Sequence, residues 1–519
     1  MKYTQKNKET PSSYLGYAQH SLDKIIEHGT DRYGEIKTPV LAAILDVGTL
    51  ESPRNPEALD EDWRVVRRGR RNPGGANLYF DLPTLDTMHL VSAATGDEKY
   101  KNFADTYMAW WMDNLIDTRP GREGIFWWGW HYFYNIFTDS KMAFVDGETP
   151  GSQAAYHETH QTISIPWEKL WSLNPAAVQR QIEMSWEWHV VDKSQGRINR
   201  HDQIEPFHLG YDFSMTAASL IHAFAFLHTK LGNSLWLDRA KLLTNYYWNA
   251  RNTTTNLIPE APYAQGGERF DKHHFTTAAA GLHTHGLFKA YELTGEAFFR
   301  DRAVAYLKAY AEYGYDAETG KFWGSLNLDG TPVPGPLTLD DYAAYEPRGH
   351  LDLWQPYAAG YEYPMYAAMA FAYGYQLTHH PDLLLAARRF AAFIESSLPP
   401  EQSLVTSIYG DYSEQYATAG THAVNYAHLI SFYVNLYILT GEESYLEMAK
   451  SRADNAIEKL YYNGLFRSHP AKPYYENIDG VGFLLYALIQ LDALLADPAK
   501  AVEERALNIG EVPVDFDNW

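Results

Sequence analysis

The chain of 519 residues contains no cysteine, which excludes disulfide bonds, thiolate metal sites and a cysteine nucleophile. No apolar run approaches the roughly 20 residues that a membrane-spanning helix needs, so we expect no membrane span. Basic residues are scarce, because 43 Lys and Arg stand against 65 Asp and Glu, giving a net charge of −22. This balance argues against nucleic acid as a partner.

Several catalytic signatures are also missing from the sequence. No Gly-rich phosphate loop, Gly-x-Ser-x-Gly elbow or dinucleotide fingerprint precedes a predicted strand, so kinase, esterase and dehydrogenase functions have no support. The first eight residues lack the apolar stretch of a secretory signal. We therefore expect either a cytoplasmic protein or an exported one whose leader has been removed. The sequence leaves the oligomeric state open.

Aromatic residues, in contrast, are abundant, with 15 Trp and 39 Tyr. Aromatic rings stack on sugar faces while a hydroxyl or indole N–H binds a polar partner, but they also fill the centres of large helical domains. The composition therefore allows a carbohydrate-binding groove without requiring one.

A short phrase recurs along the chain, in which an apolar, helix-like run ends in Gly and a second run begins about three residues later. A glycine or asparagine in the left-handed conformation ends a helix, and an acidic residue or proline opens the next one. Each copy therefore predicts a helical hairpin with a tight turn. The turns lie at Gly96, Asn174-Pro175, Gly232, Gly295, His379-His380-Pro381 and Gly441.

Hydrophobic periodicity around these turns predicts fourteen helices, the first over residues 12–28 with Ser12 or Ser13 as N-cap and the last near 479–496. Six hairpins and one pair formed by the two end helices must stack side by side to bury their apolar faces. We therefore predict an all-α (α/α)7 toroid, with six hairpins as the alternative. We expect a single domain over residues 1–519, closed by its first and last helices, with 499–519 as a C-terminal extension.

The connections between hairpins are long and rich in Gly, Pro, aromatic and charged residues. In a ring of hairpins, the tight turns lie at one end and the long connections at the other. Long connections in a compact domain are usually functional, so we expect the site on that face. The predicted long connections are 40–80, 117–153, 193–210, 251–275, 315–361 and 399–420.

Three histidine-containing blocks fall in or beside these connections. His131 follows a Trp-rich stretch, His157, Glu158 and His160 form a second block, and Arg200-His201 a third. Imidazole and carboxylate ligands from separate segments suit a divalent transition metal better than calcium. The second block is not a zinc-protease motif, because that motif requires histidines four residues apart.

Two further groups of residues are candidates. His283 and His285 lead into the helix before Gly295, and Arg348 and His350 precede Tyr363. Arg348 could bind a sugar carboxylate in bidentate fashion, and Tyr363 could give a proton to a leaving oxygen. A hydrolase working through two carboxylates could instead use acids from the same stretch, namely Asp340, Asp341 and Asp352.

These blocks resemble those of the (α/α)-toroid polysaccharide lyases, most closely the family 2 pectate lyases. The likeness includes the early His28-Gly29-Thr30-Asp31 stretch, the hairpin phrase and the three histidine blocks. It implies a divalent transition metal such as Mn or Zn, and Arg200 as the base, although an arginine can act so only where its neutral form is favoured. The metal ligands implied are His131, Glu158 and His201. Because His157 and His160 flank Glu158, the residue of this block that binds the metal stays open.

The resemblance also implies β-elimination on a uronic-acid-containing polysaccharide or oligosaccharide, which leaves a 4,5-unsaturated uronyl end. Two alternatives stay open: a toroidal glycoside hydrolase acting on unsaturated uronyl oligosaccharides, with Glu158 among its candidate acids, and a non-catalytic glycan-binding toroid. We expect the anionic substrate to contact Trp130, His208, His285, Arg348, His350 and the candidate proton donor Tyr363.

Overall fold

The computed structural model describes most of the chain. Within that part, no helix is both long enough and apolar enough to cross a membrane. The described residues are 11–54, 74–129, 132–144, 148–150, 157, 159, 164–200, 211–264, 272–334, 348–351, 364–397, 406–407, 410–411, 422–470, 472–478 and 480–497.

The described residues form fourteen α-helices, which confirms the predicted all-α fold with seven helical pairs. A π-helical turn at Ile25–Gly29 extends the first helix, and another at Ala279–His283 leads into the eighth. The helices are α1 (Tyr14–Lys24), α2 (Leu78–Thr95), α3 (Lys99–Asn114), α4 (Trp167–Leu173), α5 (Pro175–His189), α6 (Ser214–Leu231), α7 (Ser234–Ala250), α8 (Thr284–Thr294), α9 (Ala297–Tyr313), α10 (Pro364–Thr378), α11 (Pro381–Ser396), α12 (Ala423–Thr440), α13 (Glu443–Leu460) and α14 (Val481–Ala496).

The even-numbered helices form the inside of the ring and the odd-numbered helices the outside. Helices α2, α6, α12 and α14 are apolar on most of their surface and are buried along most of their length. Neighbours α6, α8, α10, α12, α14 and α2 contact one another in that order, and each packs on its own outer helix. Helix α1 is the outer partner of α14, so the two ends of the helical sequence meet. The assignment of residues 1–519 to one domain stays a prediction, and 498–519 lie outside the described residues.

The short helix α4 occupies the remaining inner position. It contacts α3 and α5, and its Trp167 and Trp171 lie against Phe226 of α6. At the next crossing, a Cβ atom on Gly286 of α8 would lie 2.6 Å from the backbone oxygen of Ala218, so only glycine allows α6 and α8 to approach so closely.

Five of the six tight turns have the predicted chemistry, and the turn at Asn174 does not. Gly96, Gly232, Gly295 and Gly441 end their helices in the left-handed conformation, as at Gly96 with φ of 75°. Asn174, predicted to take that conformation, is instead extended at φ of −150°, because its side chain caps α5 by accepting from the backbone N–H of Ala177.

The last variant follows the predicted pattern without a glycine. His379, at φ of 53°, takes the left-handed position after α10, and Pro381 opens α11 at its first helical position. At the start of the chain, Ser13 is the N-cap of α1, as predicted.

Short antiparallel strands occupy the long connections, on the face from which every inner helix begins. Strands β2 to β5 form one four-stranded sheet, and the others pair as β1 with β16, β6 with β7, β8 with β11, β9 with β10, β12 with β13 and β14 with β15. The strands are β1 (Ile44–Asp46), β2 (Gly75–Ala76), β3 (Tyr132–Asn135), β4 (Ser140–Phe144), β5 (Glu148–Pro150), β6 (Val190–Asp192), β7 (Arg197–Ile198), β8 (His274–Thr276), β9 (Tyr315–Asp316), β10 (Lys321–Phe322), β11 (Ser325–Asn327), β12 (Thr406–Ser407), β13 (Gly410–Asp411), β14 (Tyr461–Tyr462), β15 (Leu465–Phe466) and β16 (Tyr474–Glu476).

Candidate active site

Arg200 lies on the long-connection face, just after the β6–β7 hairpin that follows α5. Its side chain is buried, with 1% of the residue exposed. Its backbone N–H donates to the carbonyl of Tyr211 at 3.0 Å, and its own carbonyl accepts from the N–H of Thr159 at 3.0 Å. The predicted base is therefore fixed on one side to the start of α6 and on the other to the 157–159 block.

A chain of hydrogen bonds joins the same two segments a second time. Nδ1 of His157 lies 2.9 Å from Nε2 of His189, the last residue of α5. Nδ1 of His189 lies 3.0 Å from the carbonyl oxygen of Asn199, whose N–H donates to the carbonyl of His189 at 2.8 Å. His157 and His189 are both buried. Two separate contacts, the His157–His189–Asn199 chain and the Thr159–Arg200 hydrogen bond, therefore hold His157 and Thr159 next to Asn199 and Arg200.

The block that contains His131 reaches the same place through its neighbours. The ring of Tyr132 stacks on that of His157, with centroids 5.5 Å apart and planes at 25°. Buried Asn77, the N-cap of α2, donates through Nδ2 to the carbonyls of Gly129 at 2.6 Å and Tyr132 at 2.8 Å. Residues on both sides of Trp130 and His131 are thus anchored beside the other two blocks.

We call these residues the Arg200 region: Tyr132, His157, Thr159, His189, Asn199 and Arg200. The structure brings together the immediate neighbours of all three predicted metal ligands. The ligands themselves, His131, Glu158 and His201, lie outside the described residues, as do Trp130, His208 and Tyr363. Their roles stay predictions, and so does the metal, because the described residues alone contain no group of three potential ligands.

Burial dominates the electrostatics of this region. It lowers the pKa of His189 to about 4, and the positive charge of Arg122 acts in the same direction. Burial also raises the pKa of Asp212, in the segment just before α6, to about 6, although that carboxylate accepts from the Tyr246 hydroxyl at 2.6 Å.

Two predicted substrate contacts lie at other places. His285, near the start of α8, lines a small cavity with His222, Ser164 and Trp167, between α4, α6 and α8. His285 is 5% exposed, and neither of its ring nitrogens has a hydrogen-bond partner among the described residues. Its predicted contact with substrate stays a prediction.

His350 belongs to a cluster beyond the end of α9, and the contact with substrate predicted for Arg348, two residues before it, stays a prediction. Nε2 of His350 lies 2.8 Å from a carboxylate oxygen of Asp316, and its ring stacks on Trp323 at 3.8 Å. Hydrogen bonds from Thr319 and His350 lower the pKa of Asp316 to about 2. These contacts fix His350 to the β9–β10 hairpin, and its predicted role in substrate binding stays a prediction.

The sequence did not point to His189, Asn77 or Tyr132. His189 is a single histidine at a helix end, and its partner His157 is separated from it by a whole helical hairpin. Asn77 precedes an apolar helical run, which marks a helix N-cap but does not reveal that its amide binds two carbonyls of the His131 block.

Comparison with known proteins identifies the family. The family model described as periplasmic pectate lyase matches residues 82–260 and 279–510, which is most of the chain. The chain belongs to this family. The matched range contains the His131, Glu158 and Arg200 blocks of the predicted site.

One curated relative matches a shorter stretch. A pectate disaccharide-lyase from Dickeya dadantii (strain 3937) is 29% identical over 111 residues, which are 21% of this chain and 19% of that protein. The alignment therefore spans about a fifth of the relative's length.

Two solved structures align with most of this chain, both with a TM-score below 0.5. A family 76 α-mannanase from Bacteroides thetaiotaomicron has a TM-score of 0.46 at 12% identity, covering 94% of this chain and 98% of that chain. An unsaturated glucuronyl hydrolase specific for heparin has a TM-score of 0.45 at 9% identity, covering 93% and 97%. Neither likeness carries an argument about function.

Proposed function

We propose that this protein is a polysaccharide lyase that cleaves a polyuronate, with polygalacturonate as the first candidate, by β-elimination. One observation carries the proposal: in a chain of the periplasmic pectate lyase family, the Tyr132–His157 stack and the Thr159–Arg200 hydrogen bond converge on one buried arginine. Three sequence blocks that are far apart in the chain meet there.

Arg200 is the proposed base. With only 1% of the residue exposed, the side chain of Arg200 is shielded from bulk water, and burial disfavours the charged form of a guanidinium. A neutral guanidine nitrogen takes the proton from C5 of the uronate. The electron pair of that C–H bond forms the C4–C5 double bond, while the C4–O bond breaks and the leaving oxygen takes a proton, for which Tyr363 is the sequence-based candidate.

The proposed cation would be held by His131, Glu158 and His201. Two imidazoles and one carboxylate are a donor set that suits Mn or Zn, and the neighbours of all three residues meet in the Arg200 region. A bound divalent cation supplies charge that neutralises the substrate carboxylate and so acidifies the C5 proton. Whether the protein binds a metal is part of the proposal.

A toroidal glycoside hydrolase remains the second candidate function. Its sequence-based acids, Asp340, Asp341, Asp352 and Glu158, all lie outside the described residues. The buried arginine favours the lyase, because a hydrolase with two carboxylates has no need of a guanidine base.

One assay separates the candidates. The protein is incubated with pectate, alginate, glucuronan and pre-cleaved unsaturated oligomers, and the ultraviolet band of the conjugated enol-uronate is followed. A rising band on an intact polymer supports the lyase, and loss of the band from pre-cleaved oligomers supports the hydrolase. Binding without either change supports a glycan-binding protein and contradicts the proposed function.

A further inference from the structure

His189 links His157 to Asn199 through its two ring nitrogens, beside the direct hydrogen bond from Thr159 to Arg200. A carbonyl oxygen can only accept, so Nδ1 of His189 must carry the hydrogen that points to Asn199, 3.0 Å away. Burial favours the neutral form of an imidazole, which leaves the lone pair of His189 on Nε2. The contact at 2.9 Å therefore requires Nδ1 of His157 to donate.

The same reasoning fixes the tautomer of His157. With its hydrogen on Nδ1, the neutral ring presents its lone pair on Nε2. Tyr132 stacked on one face restricts ring rotation, so the orientation of the ring is set by two contacts.

We propose that His189 is a positioning residue that holds the 157–159 block in register with Arg200 and fixes the Nδ1–H tautomer of His157. This inference rests on the proposed function, because the register matters for catalysis only if the Glu158 and Arg200 blocks act together. Outer-shell histidine contacts of this kind typically affect metal affinity or activity by about 10- to 100-fold.

A matched pair of variants tests the proposal. In His189→Gln the side chain reaches as far as Nε2 and can still accept from His157, whereas in His189→Asn it reaches only as far as Nδ1. The control is His428→Asn, a buried histidine of α12 that contacts Tyr366 and Phe483 instead of the Arg200 region. The readouts are the His157 tautomer by nitrogen NMR with isotope-labelled histidine, hydrogen exchange of the Thr159 amide, and kcat and KM on the polyuronate that the wild type cleaves.

We expect His157 to be the Nδ1–H tautomer in the wild type, in His189→Gln and in the control His428→Asn. In His189→Asn we expect this tautomer to be lost. In His189→Asn, exchange of the Thr159 amide should accelerate and kcat should fall about 10- to 100-fold, with KM changed less than about threefold. His189→Gln should stay within about tenfold of the wild-type kcat.

Three results overturn the proposal: an Nε2–H tautomer of His157 in the wild type, an unchanged tautomer in His189→Asn, or a changed tautomer with unaltered kcat. The first needs no variant and holds even if His189→Asn does not fold. If the wild type cleaves no polyuronate, the proposed function fails, and the tautomer and Thr159 exchange then decide by themselves whether His189 holds the block.

Discussion

Buried histidines occur in two regions of the molecule, and the regions differ in what the rings contact. In the Arg200 region, both nitrogens of His189 are hydrogen-bonded and link two separate segments. Between the inner helices, His285 has no partner for either nitrogen and His428 none for Nε2 among the described residues. Burial lowers the pKa in all three, to about 4 in His189 and about 3 in His428.

A buried, neutral histidine is therefore not by itself a mark of function in this fold. His428 lies 4.8 Å from the ring of Tyr366 and 5.7 Å from that of Phe483, measured between centroids, and serves as core. What distinguishes the Arg200 region is that its hydrogen bonds join segments carrying predicted site residues.

The strongest indirect perturbation of the Arg200 region is Asn77→Ala. It removes the donor to the carbonyls of Gly129 and Tyr132 and leaves both buried acceptors without it. We expect activity on the polyuronate to fall about 10- to 100-fold, as for other residues that support a site. The free energy of unfolding, measured by thermal unfolding, should also fall by about 2–4 kcal/mol because the cap is lost and the two carbonyls are left unsatisfied.

Asn233→Ala is the matched control for this change. Asn233 is the N-cap of α7 on the tight-turn face, and its side chain accepts from the N–H of Leu235 at 3.0 Å. The variant should lose only about 1 kcal/mol of stability and keep its activity. Equal activity losses in the two variants would contradict a special role for Asn77.

The buried histidines should make the fold sensitive to acid. His189, His283, His285 and His428 all have a pKa in the folded state below the value of about 6.5 in the unfolded chain. The unfolded chain takes up protons first, so the free energy of unfolding falls as the pH drops from about 6.5 towards 4. Asp81 and Asp212, whose pKa values burial raises to about 7 and about 6, act in the opposite direction but are fewer.

His428→Phe isolates one part of this effect. The phenyl ring suits the aromatic surroundings and cannot be protonated. Between pH 7 and pH 5, the free energy of unfolding of the variant should therefore fall by about 2 kcal/mol less than that of the wild type. The measurement is the free energy of unfolding of both proteins at the two pH values. Identical pH dependence would show that His428 does not contribute.

The smallest effect is expected for His350→Gln. The contacts of His350 with Asp316 and Trp323 support a role in the β9–β10 hairpin, so kcat and KM should each change less than about threefold. A KM increase of tenfold or more with unchanged kcat would instead establish the substrate contact predicted from the sequence. Steady-state kinetics on the cleaved polyuronate decide between the two.

Much of the fold could be predicted because the tight turns have a local cause. Glycine at 96, 232, 295 and 441 fits the left-handed conformation that a helix end requires, so each marks a hairpin in the sequence itself. Asn174 and His379 were harder, because an asparagine can equally cap the next helix and a positive φ is uncommon for any residue other than glycine.

The site could be predicted only in part. The blocks around His131, Glu158 and Arg200 were recognised from their residue types and from a family resemblance, which the family match confirms. The contacts that join them, such as Tyr132 on His157 and Thr159 to Arg200, depend on how distant segments pack, and no local pattern encodes that.

The most direct test of the central claim compares two arginines of the same segment. Arg197 is three residues before Arg200 but lies over the ring of Tyr263 at 4.1 Å, outside the Arg200 region. On polygalacturonate, Arg200→Ala should lower the rate at which unsaturated uronyl ends form by about 100- to 10,000-fold, as for loss of a general base, while Arg197→Ala stays within threefold of wild type. A folded Arg200→Ala variant that keeps the wild-type rate would contradict the account.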